Sequence, residues 1–166
     1  MRNLILIAHN LRSCHNIGSL LRTAEGLGVA KVYLTGYTPF PAGQTNDPRL
    51  PHLALKIDKQ IHKTALDAEH QIAWERVENV HEVFERLHKD TYQIMAVEQS
   101  NTSIALPGFH PDGNVALLMG REVEGVEPEI LAACDGALEI PMFGQKESFN
   151  VVQAAAMALY HCRFIA

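Results

Sequence analysis

The spacing of apolar positions changes repeatedly along the chain. Residues 3–8 (NLILIA) are an unbroken apolar run of strand length, the pattern of a strand buried on both faces. Over 16–27, Ile17, Leu20, Leu21, Ala24 and Leu27 recur at helical spacing, and Gly26 and Gly28 mark the end, as glycines do past a helix C-terminus. Residues 31–35 predict a second strand. Residues 36–51 hold Pro39, Pro41, Pro48 and Pro51 and read as a long loop. A short helix over 57–68, an extended segment over 71–76, a helix over 80–88 and a strand over 92–97 follow. Residues 114–119 (NVALLM) form another buried strand. A helix over 128–134 opens on a proline, 137–140 is a strand, and 148–164 is a long final helix with Ser148 as its N-cap candidate.

Strands separated by helices predict an α/β fold with a mainly parallel sheet and helices on both faces. Ligands then sit in the loops beyond the strand C-termini. Three such loops are rich in Gly and polar residues: 9–18, 120–125 and 141–150.

Composition adds limits. The chain has 166 residues, 47% hydrophobic and 20% charged, enough to bury a core and too apolar for disorder. No apolar run reaches membrane-spanning length, no signal-peptide pattern is expected, and the three cysteines lack C-x-x-C spacing, so a reduced, cytoplasmic protein is expected. The net charge of −5 hides an asymmetry: residues 1–66 carry +5 and residues 67–166 carry −10. A basic half can present a basic face to phosphates whatever the total. The stretch Arg49, His52, Lys56, Lys59, His62, Lys63 is the candidate docking surface; a solvated loop and helix is the other reading.

Common nucleotide and hydrolase motifs are absent. The segment from Gly120 to Gly125 has G-x4-G spacing, but Val126-Glu127 follows where a phosphate-binding loop needs Lys and a hydroxyl. Gly26-x-Gly28 follows a helix, the reverse of a dinucleotide fingerprint. There is no G-x-S-x-G elbow. Nine histidines show no H-x3-H or H-E-x-x-H spacing, so no metal site is expected.

What remains is an ordered set of three blocks. The first is Asn10-x-Arg12-x3-Asn16-x-Gly18-x3-Arg22-Thr23-Ala24. The second is Leu117-Leu118-Met119-Gly120-x-Glu122-x2-Gly125-Val126. The third is Ile140-Pro141-Met142-x-Gly144-x3-Ser148-Phe149-Asn150-Val151. Together they resemble the signature of the SpoU/TrmH branch of the SPOUT methyltransferases, over nearly the whole chain. Phe149 stands where that family commonly has Leu.

The resemblance implies S-adenosyl-L-methionine-dependent methylation of a ribose 2′-hydroxyl in RNA. It also implies a C-terminal trefoil knot, a homodimer and a single methyltransferase domain over 1–166. Small size and the basic stretch favour tRNA over rRNA. Arg22 matches the catalytic arginine; because guanidinium holds its proton, an electrostatic and positioning role is expected, with phosphate or water taking the proton. Asn16 matches the loop asparagine that positions Arg22 or the RNA, and could instead be a helix N-cap. Glu122 matches the glutamate that could orient Arg22 or Arg12 through a bidentate pair, within the chain or across the dimer. Ser148 and Asn150 match residues that fix the active-site loop near the methionine end of the cofactor. Val97, Ile140, Met142 and Phe149 can wall an apolar pocket that favours loss of the sulfonium charge, and Gly120 permits close backbone approach. Arg12, Arg49, Lys56, Lys59 and Lys63 are the expected RNA contacts. Ala154, Ala155, Ala156 and Ala158, among larger apolar neighbours, suit close helix approach in a dimer or a buried core helix. The other function class is a catalytically idle, dimeric RNA- or cofactor-binding module of the same fold. Such a module has no need of Arg22.

Overall fold

The computed structural model describes residues 2–166. Its strands are β1 (Leu4–His9), β2 (Lys31–Thr35), β3 (Trp74–Val77), β4 (Gln93–Val97), β5 (Ile104–Ala105), β6 (Val115–Met119) and β7 (Gly136–Glu139). Its helices are α1 (Cys14–Gly26), α2 (Pro51–Ala65), α3 (Ala68–Gln71), α4 (Val80–Lys89), α5 (Pro128–Ala133) and α6 (Val151–Tyr160), the last continuing into a π-helical turn, His161–Ile165. One sheet results, ordered β3-β2-β1-β6-β4-β7-β5, with every pairing parallel.

β1 lies between β2 and β6 and is buried along its whole length, as its continuous apolar run requires. Its alternate side chains point to opposite faces. Leu4, Leu6 and Ala8 meet Ile17, Leu20, Leu21 and Ala24 of α1, Ile61 of α2 and Ala155, Ala158 and Leu159 of α6. Ile5 and Ile7 meet Val83, Phe84 and Leu87 of α4 and Ile130 of α5. Helices therefore cover both faces, as expected. Gly18 lets α1 pack closely on α2: a Cβ there would collide with the Ile61 carbonyl and the Thr64 hydroxyl.

Several boundaries differ from expectation, each for a local reason. α1 begins at Cys14 because Ser13 caps it, its Oγ accepting from the Asn16 N–H at 3.2 Å. Asn16 is therefore free of the capping role. α2 begins at Pro51, earlier than expected; proline suits a first helical position, where its missing N–H leaves no bond unmade. It stops at Ala65, where Leu66 and Asp67 turn left-handed with φ of 50° and 78°. Asn150, not Ser148, caps the last helix, accepting from the Val152 N–H at 2.8 Å. β5 was not expected; its two residues are too few to show a period.

β7 pairs on one side with β4 and on the other with β5, although both precede it in sequence. The β4–β5 connection must therefore pass over the end of a later strand. Two arginines fix the chain ends. Arg163 donates to the carbonyls of Leu27 (3.0 Å), Gly28 (2.6 Å) and Arg2 (2.6 Å). Arg2 in return donates to the carbonyls of Cys162 (2.8 Å) and Ala166 (3.3 Å). Among the described residues no helix is long and apolar enough to cross a membrane.

Candidate active site

The carboxyl ends of β6, β4 and β7 stand side by side, and the loops leaving them enclose a cleft of about 180 Å³. Val97, Gly120, Ile140, Met142, Ser148 and Phe149, all expected to touch a cofactor, line it together. Sequence reasoning missed Glu98, Gln99, Arg121, Glu139 and Glu147, which line it too. For Glu98 and Gln99 a signal existed: they are the first polar pair beyond an apolar strand, on the edge where ligands sit.

Close backbone contact shapes one wall. A Cβ on Gly120 would lie 2.7 Å from the Val126 nitrogen, so only glycine lets the turn fold back. Arg121 and Gly125 exchange backbone hydrogen bonds at 3.2 and 3.1 Å, with Gly125 at φ +73°. On the opposite side Gln99 Nε2 donates to the Glu147 carbonyl at 3.2 Å and ties the β4 loop to the 141–150 loop.

Beside the cleft the three motif blocks meet in one hydrogen-bonded chain. Glu122 accepts from the backbone N–H groups of Arg12 (3.3 Å) and Ser13 (3.2 Å) and from Asn16 Nδ2 (3.3 Å). The other end of the Asn16 amide accepts from Asn150 Nδ2 at 3.4 Å. The expected bidentate pair of Glu122 with Arg22 or Arg12 does not form within this chain. The reason is positional: the carboxylate sits at the positive N-terminal end of α1, where free N–H groups take it first. Ser148 and Phe149 are exposed at the cleft's rim.

Arg22 is exposed on α1 and makes no hydrogen bond or ion pair among the described residues. It stands six residues beyond Asn16, about 9 Å along the helix axis at the usual rise. It does not join the Glu122–Asn16–Asn150 chain. Arg12 points its guanidinium at Glu124, 3.6 Å away, and remains largely exposed.

The expected RNA contacts divide. Lys56, Lys59 and Lys63 are exposed at helical spacing along α2, without ion pairs among the described residues. Arg49, in contrast, is engaged within the chain. It pairs with Asp47 at 2.6 Å, donates to the carbonyls of Phe40 (2.7 Å) and Pro41 (3.2 Å), and stacks on the Phe40 ring at 3.5 Å. Its planar fork of donors is consumed in holding the 40–49 loop. The Arg49 hydrogen bond pulls the Asp47 carboxyl down to about 2.

At the end of β1 the sheet's polar edge is buried. His9 Nδ1 meets Thr35 Oγ1 at 2.8 Å, and its Nε2 lies 3.1 Å from Asn10 Nδ2 and 3.6 Å from Glu127. Burial pushes the imidazole below its ordinary range, against the pull of Glu127. Cys14, Cys134 and Cys162 are free thiols. Burial raises Cys134 to about 12 and Cys162 to about 11, which leaves them unreactive.

An all-parallel sheet with helices on both faces, and a cleft built from three loops at its carboxyl edge, define an α/β protein of the ligand-binding kind. The chain belongs to the SpoU rRNA Methylase family, whose pattern matches residues 3–160. It is 28% identical over 163 residues to a tRNA (guanosine(18)-2′-O)-methyltransferase of Aquifex aeolicus, covering 98% of this chain and 69% of that protein. It is 26% identical over 162 residues to the 23S rRNA (guanosine-2′-O-)-methyltransferase RlmB of Acinetobacter baylyi, covering 96% of this chain and 59% of that one. Its fold matches the SpoU methyltransferase AviRb of Streptomyces viridochromogenes, solved in complex with AdoMet. That match has a TM-score of 0.78 at 21% identity and covers 96% of this chain and 56% of AviRb. The chain thus spans little more than half the length of two of these proteins.

Proposed function

We propose that this protein transfers the methyl group of S-adenosyl-L-methionine to a ribose 2′-hydroxyl in RNA, with tRNA as the substrate and 1–166 acting as a single methyltransferase domain. The observation that carries the reading is the convergence of three separated motif blocks. The Glu122–Asn16–Asn150 chain stands beside a cleft lined by all six residues expected to hold the donor.

The cleft suits that donor. Gly120 lets the 120–126 turn fold back to form one wall, and Val97, Ile140 and Met142 supply apolar walls. When bound, S-adenosylmethionine supplies an electrophilic methyl on a sulfonium whose charge vanishes on transfer. Apolar walls favour that change because they solvate the charged ground state poorly. Ser148 and Asn150, on the 141–150 loop, would face the methionine end. Glu122 and Asn16 fix the loops around the reacting atoms and so contribute through orientation.

Arg22 is the group aimed at the incoming sugar. Because it does not reach the Glu122–Asn16–Asn150 chain of its own protomer, we assign it to the cleft of a second copy. The outer face of α6 supports such a homodimer. Tyr160, Phe164 and Ile165 are 52%, 64% and 63% exposed, beside a shallow apolar groove walled by Leu106, Ala156 and Met157. In that arrangement Arg22 holds the phosphate and 2′-oxygen in line, and the phosphate or a water accepts the proton. Insertion of β7 between the earlier β4 and β5 supports a trefoil knot at the C-terminal end. Arg12 and the α2 lysines would carry the RNA backbone.

The test is incubation with methyl-labelled S-adenosylmethionine and separate tRNA and rRNA pools, followed by mass spectrometry of the nucleosides. A 2′-O-methylated nucleoside in tRNA is expected. Label in rRNA alone would correct the substrate, and no label in any pool would overturn the reading.

A further inference from the structure

The end of β4 carries a carboxylate that none of the three motif blocks contains. Glu98 is half-buried in the wall of the cleft. Its Oε1 accepts from the Gln99 N–H and its Oε2 from the Val126 N–H, each at 2.9 Å. Gly125 makes room for it: any Cβ there would collide with the carboxylate, and the residue's φ of +73° already favours glycine. Among the described residues Glu98 has no Lys, Arg or His partner within ion-pair distance. The charge is therefore held by two N–H groups alone.

A carboxylate offers about four acceptor positions, and two are used. The rest belong to a group lining a cleft whose other walls include Val97, Ile140 and Met142. They are open to hydrogen-bond donors that a ligand brings into the cleft. In parallel α/β sheets an acidic side chain near a strand's carboxyl end commonly takes the hydroxyls of a bound ribose. The other donor groups on the same ligand are the exocyclic amine of its adenine and the ammonium of its methionine part. That end is assigned above to Ser148 and Asn150 on the 141–150 loop, whereas Glu98 is fastened to the 120–126 turn.

We propose that Glu98 accepts hydrogen bonds from the ribose 2′- and 3′-hydroxyls of the methyl donor's adenosine, and so selects a ribonucleoside donor while its bond to Val126 sets the cleft wall. This rests on the donor-binding reading above.

Calorimetry can test it without turnover. The ligands are S-adenosylhomocysteine, its 2′-deoxyadenosine analogue and 5′-methylthioadenosine, which keeps the diol and lacks the ammonium. The wild-type protein should bind the 2′-deoxy analogue about tenfold more weakly than S-adenosylhomocysteine. Glu98→Gln should weaken S-adenosylhomocysteine and 5′-methylthioadenosine by similar factors and abolish the discrimination between 2′-hydroxy and 2′-deoxy ligands. A purely structural role would lower the melting temperature and leave that discrimination intact, which would overturn the proposal. So would loss confined to the ligand that carries the ammonium. A wild-type protein indifferent to the 2′-hydroxyl would also overturn it, with no variant needed. Failure of the wild type to bind any of the three would instead strike the donor-binding reading, and this inference with it.

Discussion

Arg49 and the lysines of α2 lie within fifteen residues of one another, yet they use positive charge in opposite ways. The Arg49 guanidinium is spent on Asp47, two carbonyls and the Phe40 ring. Lys56, Lys59 and Lys63 project from the helix with no anionic partner among the described residues. The same division separates Arg163, bound to three carbonyls, from Arg22, bound to none. A planar fork of fixed donors can staple several carbonyls at once or, left open, take a phosphate, whereas an ammonium is a mobile point charge on a long stem. Arg22 is the informative exception, an arginine whose fork is left open.

The strongest way to break this contrast is Arg22→Ala. If the open guanidinium serves the reaction, the methylation rate should fall by about two to three orders of magnitude. Calorimetric affinity for S-adenosylhomocysteine and the melting temperature should hold. A normal rate would place Arg22 with the idle surface charges.

Arg163→Ala probes the opposite class. It strips three carbonyls of their partner and should lower stability by about 2 kcal/mol in urea unfolding, with donor affinity changed little. Stability equal to wild type would mean that water replaces the clasp without penalty.

Reversing Lys56, Lys59 and Lys63 to Glu together sharpens the comparison from the side of RNA. Binding should weaken about tenfold or more at low salt, and the slope of log K against log salt should become shallower by about 2–3. Arg49→Gln should leave that slope unchanged and loosen only the loop. Equal effects from the two variants would erase the distinction.

Titration gives the smallest effects. Asp47 is held down to about 2 from an ordinary value of 3.8, chiefly by the Arg49 hydrogen bond. A depressed carboxyl stabilises the fold above its unfolded value, so this contribution should fade as pH drops from about 4 towards 2. Arg49→Gln should remove it. His9 is lowered by burial from 6.5, so the fold favours its neutral form. Stability should therefore decline as pH falls below about 6.5, because the unfolded chain takes up the proton first. His9→Gln should flatten that part of the stability curve, as read by thermal melts from pH 7 to 5.

The layout of the fold was largely legible because its signals are local. The run at 3–8 is buried on both faces and became the central strand, and the helical spacing of Ile17, Leu20, Leu21 and Ala24 became the buried side of α1. Six donor-site residues named from the sequence line one cleft. What was misread had competing local explanations. Pro51 signals a loop as readily as a first helical turn, and Ser148 and Asn150 are both good caps two residues apart. Arg49 looked like its lysine neighbours because residue type carries no record of what stands opposite it.

Periodicity and residue type, properties of neighbouring positions, were enough to determine a parallel sheet, the edge on which chemistry would gather and the three loops that carry it. Tertiary structure alone decided which charges are spent and which are free, that Glu122 turns to backbone N–H groups and not to a guanidinium, and that Glu98 enters the cleft. Those outcomes depend on atoms from distant segments, such as Asn16 and Asn150, 134 residues apart, coming within hydrogen-bond distance. No local pattern encodes such a meeting; it follows only once the strands have taken their order in the sheet.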